Sequence, residues 1–234
     1  MHLDHGLTVT RRGFGGLAET DFGRGLRVVD DGAHALAQQP RGHRYSRPSP
    51  RVAAVSTQDR SRWDAAYADR EPASEAGLPV VFAAHESAFP AAGRALDLAC
   101  GQGSAAVWLA RRGLDVLGVD VSGVAVERAR ALANTAGVAD NCRFEVADLD
   151  DGLPPGPPVD VLLCHRFRDP RRYPAMSERL RPGGLLAICV LSEVGGSPGP
   201  FRAVAGELSD AFAELVTVAA GEGDGQAWLL ARAR

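Results

Sequence analysis

The chain has 234 residues, 45% of them hydrophobic, which suits one globular domain with an extension. Its net charge of -3, with no lysine in the sequence, gives no reason to expect a nucleic acid or an anionic membrane as partner. The four cysteines form no CxxC pair and no cluster with histidine, so we predict no metal site and free thiols in the cytoplasm. No apolar run is long enough to span a bilayer.

The first 56 residues differ in composition from the remainder. They mix Gly, Arg, His, Pro and Ser without an apolar period, and residues 41–51 have the composition of a basic, proline-containing linker. We predict that residues 1–56 form a disordered extension and that residues 57–234 form the folded domain.

Two helices are predicted before the first strand. The first runs from Ser56 to about Asp69 and places Trp63 and Tyr67 on one face. That aromatic pair either packs against the domain or forms a lid over a ligand. The second helix is predicted over Pro79 to Ala92.

A strand, a glycine loop and a helix follow. Ala95 to Ala99 is apolar apart from Asp97, the loop contains Gly101 and Gly103, and helical spacing continues to Gly113. Such a loop lets a ligand approach bare backbone, and the first amides of the helix favour an anionic group there.

Leu114 to Asp120 is predicted as the second strand. An acid at the tip of that strand can accept hydrogen bonds from both hydroxyls of a ribose. In a parallel sheet the glycine loop and Asp120 lie side by side, and together they fit a nucleoside with a charged tail.

The remaining pattern alternates between helix and strand and ends in a hairpin. It therefore predicts one doubly wound α/β domain, whose ligand lies beyond the carboxyl ends of the strands. Helices are predicted at residues 123–136, 173–180 and 201–211, and strands at residues 143–147, 159–164, 185–191, 212–220 and 226–233.

From about Trp63 to Arg234 the sequence resembles the class I S-adenosylmethionine-dependent methyltransferases. The Trp63 and Tyr67 helix is similar to the lid of small methyltransferases of the tellurite-resistance and thiopurine type. The matching motifs are Leu96–Gly103, with Ala99 where glycine is common, Val119-Asp120 for the ribose, Ala147-Asp148-Leu149 for adenine, and Leu180–Leu185 before the fifth strand.

The resemblance implies a Rossmann-like sheet of seven mostly parallel strands with an antiparallel last strand, and S-adenosyl-L-methionine as cofactor. It implies that Asp97 orients the ammonium group of the cofactor and that Cys164 and His165 lie beside the sulfonium. The expected cofactor-binding residues are Asp97, Ala99, Gly101, Gly103, Asp120, Val121, Asp148, Leu149, Cys164, Trp63 and Tyr67.

The resemblance also implies in-line methyl transfer, and the lack of a large insertion near the fifth strand favours a small-molecule acceptor. The Asn-Pro-Pro-Tyr and Asp-Pro-Pro-Tyr motifs used on bases and amides are absent, and Cys164–Phe167 stands in their place. A thiol acceptor needs no base, whereas a hydroxyl acceptor needs one, for which His165 is the candidate catalytic residue. A structural histidine at a strand end is an equally good interpretation. Arg166 and Arg168 either attract an anionic substrate or belong to a solvated surface.

Two alternatives stay open. Gly101 to Ala106 fits the pattern G-x-G-x-x-A of NAD(P)-dependent oxidoreductases, with Asp120 about twenty residues later. Asp97 before the glycines and the lack of a catalytic Tyr/Lys pair speak against that enzyme class. The other alternative is a non-catalytic domain that binds S-adenosylmethionine. The oligomeric state is not indicated by the sequence.

Overall fold

The computed structural model describes the backbone of residues 50–234 and the side chains of residues 58–234. The first helix begins at Pro50, ahead of the predicted start at Ser56, and ends at Ala68. The predicted extension up to residue 49 lies outside the described residues.

The domain alternates strands with helices, as the hydrophobic pattern predicts. A 3₁₀ segment, Val80–Ala88, interrupted at His85, replaces the predicted second helix. The helices are α1 Pro50–Ala68, α2 Ser104–Arg111, α3 Gly123–Ala136, α4 Tyr173–Arg179 and α5 Glu207–Ala211. The strands are β1 Gly93–Leu98, β2 Leu114–Asp120, β3 Cys142–Val146, β4 Val159–His165, β5 Leu180–Leu191, β6 Val216–Gly223 and β7 Gln226–Arg232.

The seven strands form one sheet in the order β3-β2-β1-β4-β5-β7-β6. Strand β7 is antiparallel to β5 and β6, and the pairings among β1 to β5 are parallel. The predicted doubly wound sheet with an antiparallel last strand is therefore confirmed. Strand order reverses between β1 and β4, which is where ligands bind in open sheets of this kind.

Each face of the sheet carries its own buried core. On one face, Leu109 of α2 and Val126 of α3 pack with Phe82 and alternate residues of the strands. On the other face, Met176 of α4 and Leu208 of α5 pack with the intervening strand residues. Burial on both faces explains why the central strands are almost continuously apolar in sequence.

The region after β5 differs from the prediction. The predicted helix over residues 201–211 is wrong for its first half, because Ala203 pairs with the end of β5. The Ala203 amide donates to the carbonyl of Leu191, and the Ala203 carbonyl accepts from the amide of Glu193. Only α5 is helical there, and the last strand pair begins at Val216.

The turn between β6 and β7 is shorter than the predicted Gly221–Gly225 loop. Asp224 and Gly225 both have positive φ, +51° and +73°, which is the geometry of a tight type I′ hairpin turn. Among the described helices, none has the length and apolar composition that crossing a membrane requires.

Candidate functional site

Three of the predicted site residues share one face of the sheet at its carboxyl edge. In the strand register, Asp97 lies between Gly118 of β2 and Leu163 of β4. Alternate residues of a strand point to the same side, so Asp120 and His165, each two residues further along, lie on the face of Asp97. The sheet thus brings two carboxylates and an imidazole together at the switch point.

Asp97 is the most perturbed of these groups. Its side chain is only 2% exposed, and burial together with the neighbouring charge of Asp120 raises its pKa to about 8. Its Oδ2 atom is buried without a hydrogen-bond partner among the described residues. A buried, unpaired carboxyl oxygen is costly, and a cationic ligand group would relieve that cost.

Asp120 is held by backbone amides. The amide of Gly101 donates to its Oδ2 at 2.9 Å, and the amide of Ser122 donates to its Oδ1 at 2.9 Å. Burial raises the pKa of Asp120, whereas these amides oppose the shift. The carboxylate therefore fixes the glycine loop against the end of β2, and each oxygen keeps a further lone pair for a ligand.

The loop between β1 and α2 uses positive φ angles at Ala99, Gly101 and Gly103, of +53°, +54° and +81°. A Cβ on Gly101 would lie 2.8 Å from the hydroxyl oxygen of Tyr67, so this glycine permits a close approach from outside the sheet. At Gly103 a Cβ would instead lie 2.7 Å from the Cβ of Ala129, inside the protein. An added side chain at position 101 would therefore meet Tyr67 of α1, and one at position 103 would meet the buried core.

Helix α1 lies over this loop. Asp64 accepts hydrogen bonds from the Ser122 hydroxyl at 2.6 Å and from the Val124 amide at 3.2 Å, at the start of α3. Arg128 of α3 donates to the carbonyls at the end of α1, including those of Tyr67 and Ala68. These contacts hold α1 across the carboxyl edge of the sheet.

The aromatic pair on α1 faces the site through Tyr67. Its ring lies 6.0 Å from that of Trp63, between centroids. Burial, and then the charge of Asp120, raises the pKa of Tyr67, so its hydroxyl is protonated at neutral pH. The guanidinium of Arg70 covers the tyrosine ring at 4.9 Å.

Of the remaining predicted cofactor residues, some lie near the carboxyl edge of the sheet and others have side chains in the core. Val121 follows Asp120 directly, and Asp148 is half-buried after β3, where its Oδ1 accepts from the Asp150 amide at 2.9 Å. The side chains of Leu149 and Cys164 are buried in the core on the opposite face from Asp97. The structure therefore does not bring these two side chains to the site.

His165, at the end of β4, is half-buried. Desolvation, together with the charge of Arg166, lowers its pKa to about 4, so the imidazole is neutral at pH 7.

The four arginines after β4, Arg166, Arg168, Arg171 and Arg172, have different surroundings. Arg168 forms a bidentate ion pair with Glu207 at 2.7 and 2.6 Å. Arg171 and Arg172 both pair with Asp169. Arg166 is exposed and, unlike these three arginines, has no carboxylate partner among the described residues.

Sequence reasoning missed three residues that shape the site. Asp64 and Arg128 dock α1 on α3, and Gln102 ties the chain before β1 to the loop by accepting from the Ala73 amide at 2.6 Å. Their partners lie 29 or more residues away, so no local spacing could reveal them. The only local signal was the position of Asp64 beside Trp63 on the predicted helix.

Comparison with known proteins finds similarity to methyltransferases. Residues 95–184 match a family model described as a methyltransferase domain. The chain is 36% identical over 101 residues to the tRNA 5-carboxymethoxyuridine methyltransferase of Escherichia coli K12, covering 41% of this chain and 39% of that protein. It is 34% identical over 126 residues to the methyltransferase GfsG of Streptomyces halstedii, covering 50% of this chain and 45% of that protein.

A solved structure has the same fold. Magnesium protoporphyrin IX methyltransferase (ChlM) from Synechocystis PCC 6803, solved with bound SAH, aligns with a TM-score of 0.59 at 14% identity, covering 76% of this chain and 99% of that one.

The matched segment lies within the seven-stranded sheet and contains Asp97, Asp120 and His165, so the similarity to methyltransferases includes the candidate site. The chain spans less than half the length of the two curated relatives named above.

Proposed function

We propose that this protein binds S-adenosyl-L-methionine at the carboxyl edge of β1 and β2 and transfers its methyl group to a small-molecule acceptor. The observation that carries the proposal is the orphaned Oδ2 of Asp97, buried beside Asp120 under α1. The ammonium group of the cofactor is the kind of cation that such a carboxylate needs. The residues present therefore fit the cofactor.

The proposed roles follow from the positions of the side chains. Asp97 holds the ammonium group, Gly101 gives access to bare backbone, and Asp120 accepts the ribose hydroxyls with its free lone pairs. Asp148, at the end of the next strand, contacts the adenine. Tyr67 lies above Gly101, so α1 closes over the bound cofactor and excludes water.

When bound, S-adenosylmethionine supplies an electrophilic methyl group that an acceptor takes by in-line displacement. The chain positions the acceptor and keeps the site dry, which contributes up to about 7–11 kcal/mol in favourable cases. His165 is unprotonated at neutral pH because of its lowered pKa, so its imidazole is available to take a proton from a hydroxyl acceptor. At a pKa of about 4 it is a weak base, which favours acidic acceptors.

The proposal of a small acceptor rests on this chain's own surface. The proteins named above include a tRNA methyltransferase and, with the same fold, a magnesium protoporphyrin methyltransferase, so acceptors vary among proteins similar to this chain. Three of the four arginines after β4 are committed to ion pairs, which leaves no basic patch there for a nucleic acid backbone. All four cysteines are free thiols, which supports a cytoplasmic location.

Calorimetry with S-adenosylmethionine, S-adenosylhomocysteine and NADH tests the proposal. We expect both adenosyl ligands to bind and NADH not to bind. Asp97→Asn should weaken S-adenosylmethionine binding by about tenfold or more, because it removes the charged partner of the ammonium group. Asp115 is an exposed acid on the same strand as Asp120, so Asp115→Asn is the control and should leave S-adenosylmethionine binding unchanged.

Two results would count against the proposal. Uptake of NADH without uptake of the adenosyl ligands would favour the oxidoreductase alternative. Uptake of S-adenosylmethionine with no S-adenosylhomocysteine formed over a broad panel of thiols and hydroxyl compounds would favour a non-catalytic binding domain.

A further inference from the structure

The surface next to His165 is built from two loops that the structure fastens together. Arg168, after β4, donates to the carbonyl of Pro200 at 3.2 Å and to both carboxylate oxygens of Glu207. Glu207 also accepts from the Tyr173 hydroxyl at 3.0 Å. These contacts make the segment after β4 and the segment from Pro200 to Glu207 one continuous surface.

Arg166 stands out on this surface. It directly follows His165, its amide donates to the Cys189 carbonyl at 2.7 Å, and its φ of +63° is rare for a residue with a side chain. Such backbone outliers concentrate at functional sites. Its guanidinium is exposed and, unlike those of the three arginines that follow, has no carboxylate partner within the described part of the chain.

The second segment adds apolar area to the same surface. Phe201 is 57% exposed and Val204 is 54% exposed. They flank Ala203, which is fixed to the end of β5 by its two backbone hydrogen bonds. Phe201 directly follows Pro200, whose carbonyl accepts from Arg168, so these apolar side chains belong to the joined surface that also carries Arg166.

From this juxtaposition we infer that the methyl acceptor is a small molecule with an oxyanion group, bound by Arg166, and an apolar portion, packed on Phe201 and Val204. The inference rests on the proposed methyltransferase function and adds the chemical class of the acceptor. Arginine binds carboxylate and phosphate oxygens with paired hydrogen bonds, so both oxyanions fit.

The test is calorimetry of paired probes on the full chain saturated with S-adenosylhomocysteine. The probes are benzoate with benzamide, 2-naphthoate with 2-naphthamide, and phenyl phosphate. We expect each carboxylate to bind about tenfold or more tightly than its amide, because the amide lacks the charge that Arg166 recognises. Phenyl phosphate compared with benzoate shows which oxyanion is preferred.

Variants assign the preference to residues. Arg166→Gln should bring the carboxylate-to-amide affinity ratio close to one. Phe201→Ser should weaken 2-naphthoate and 2-naphthamide equally and so keep their ratio. Arg111→Gln, an exposed arginine on α2, is the matched control and should behave as the wild type.

The inference is overturned if wild-type protein that takes up S-adenosylhomocysteine binds acid and amide equally, binds none of the probes, or keeps its preference in Arg166→Gln. Failure to take up S-adenosylhomocysteine at all would overturn the proposed function itself, and this inference with it. The two failures are therefore distinguishable in one experiment.

Discussion

At the scale of single residues, the cost of burying Asp97 links ligand binding to pH. Its pKa is about 8 in the folded protein and near 4 in an unfolded chain, so the folded state holds the proton over that interval. The contribution of Asp97 to ligand-free stability falls over that interval, whereas His165, whose pKa is lowered to about 4, contributes the opposite slope below about pH 6.5, so we expect net stability to fall as pH rises from about 6.5 through about 8. Asp97→Asn should flatten this dependence, measured by urea unfolding across that range.

The same carboxyl should give up its proton when a cation binds. At pH 7 we expect S-adenosylmethionine binding to release protons, because the ammonium group favours the ionised form of Asp97. The measurement is the binding enthalpy in buffers of different ionisation enthalpy. An enthalpy that does not change with buffer, or a proton release that persists in Asp97→Asn, would contradict this expectation.

Gly103 offers a second test at this scale. Gly103→Ala adds a Cβ that meets Ala129 and Phe144 inside the core, in addition to the strain of a positive φ. We expect a loss of about 2–4 kcal/mol in the free energy of unfolding. Gly137→Ala is a matched control, since Gly137 also has positive φ, +71°, but open space around it, and should lose only about 1 kcal/mol. Equal losses would show that packing at Gly103 does not matter.

At the scale of elements, α1 is the least firmly attached part of the site. Between residues 58 and 68 it has no fully buried side chain, and hydrogen bonds from Ser122 and Arg128 hold it in place. We expect its amides to exchange with solvent faster than those of α3, because local unfolding is governed by such contacts. Hydrogen exchange with mass spectrometry measures both.

A bound ligand and a substitution that weakens the docking of α1 should change its exchange rate in opposite directions. S-adenosylhomocysteine should slow exchange in α1 if this helix closes over the site, and Arg128→Met should speed exchange there while leaving β1 unchanged. Protection of α1 equal to that of the central strands would rule out its role as a lid.

The elements also show which features of the fold the local sequence can predict and which depend on tertiary contacts. Hydrophobic periodicity predicted the strands and the glycine loop, and α3 has the predicted bounds, with Ser122 and Gly137 as its caps. The helix predicted to start at Phe201 fails because the pairing of Ala203 with β5, a tertiary contact, overrides local preference. Likewise, the docking of α1 depends on the contact of Asp64 with Ser122, which is distant in sequence. The burial of Cys164 away from the site follows from the alternation of side chains along β4.

At the scale of the whole molecule, one sheet is shared by two cores, so both should unfold together. Arg232 of β7 connects distant parts by donating to the carbonyls of Ala88 at 2.7 Å and Gly183 at 2.9 Å. We expect Arg232→Met to lower the free energy of unfolding by about 1–3 kcal/mol. Tryptophan fluorescence and far-ultraviolet circular dichroism should shift to the same urea midpoint.

The exposed Arg111 provides the comparison for this variant, since Arg111→Met should change stability by no more than about 0.5 kcal/mol. Separate midpoints for the two probes would mean that the cores unfold independently.

The position of β7 between β5 and β6 has a consequence for how the protein is made. During synthesis, β6 leaves the ribosome before the strand that joins it to the sheet, and until residues 226–232 follow, β5 keeps an open edge. A nascent chain stalled before Gln226 would therefore expose that edge to other chains, and its solubility should recover only once the final strand has emerged.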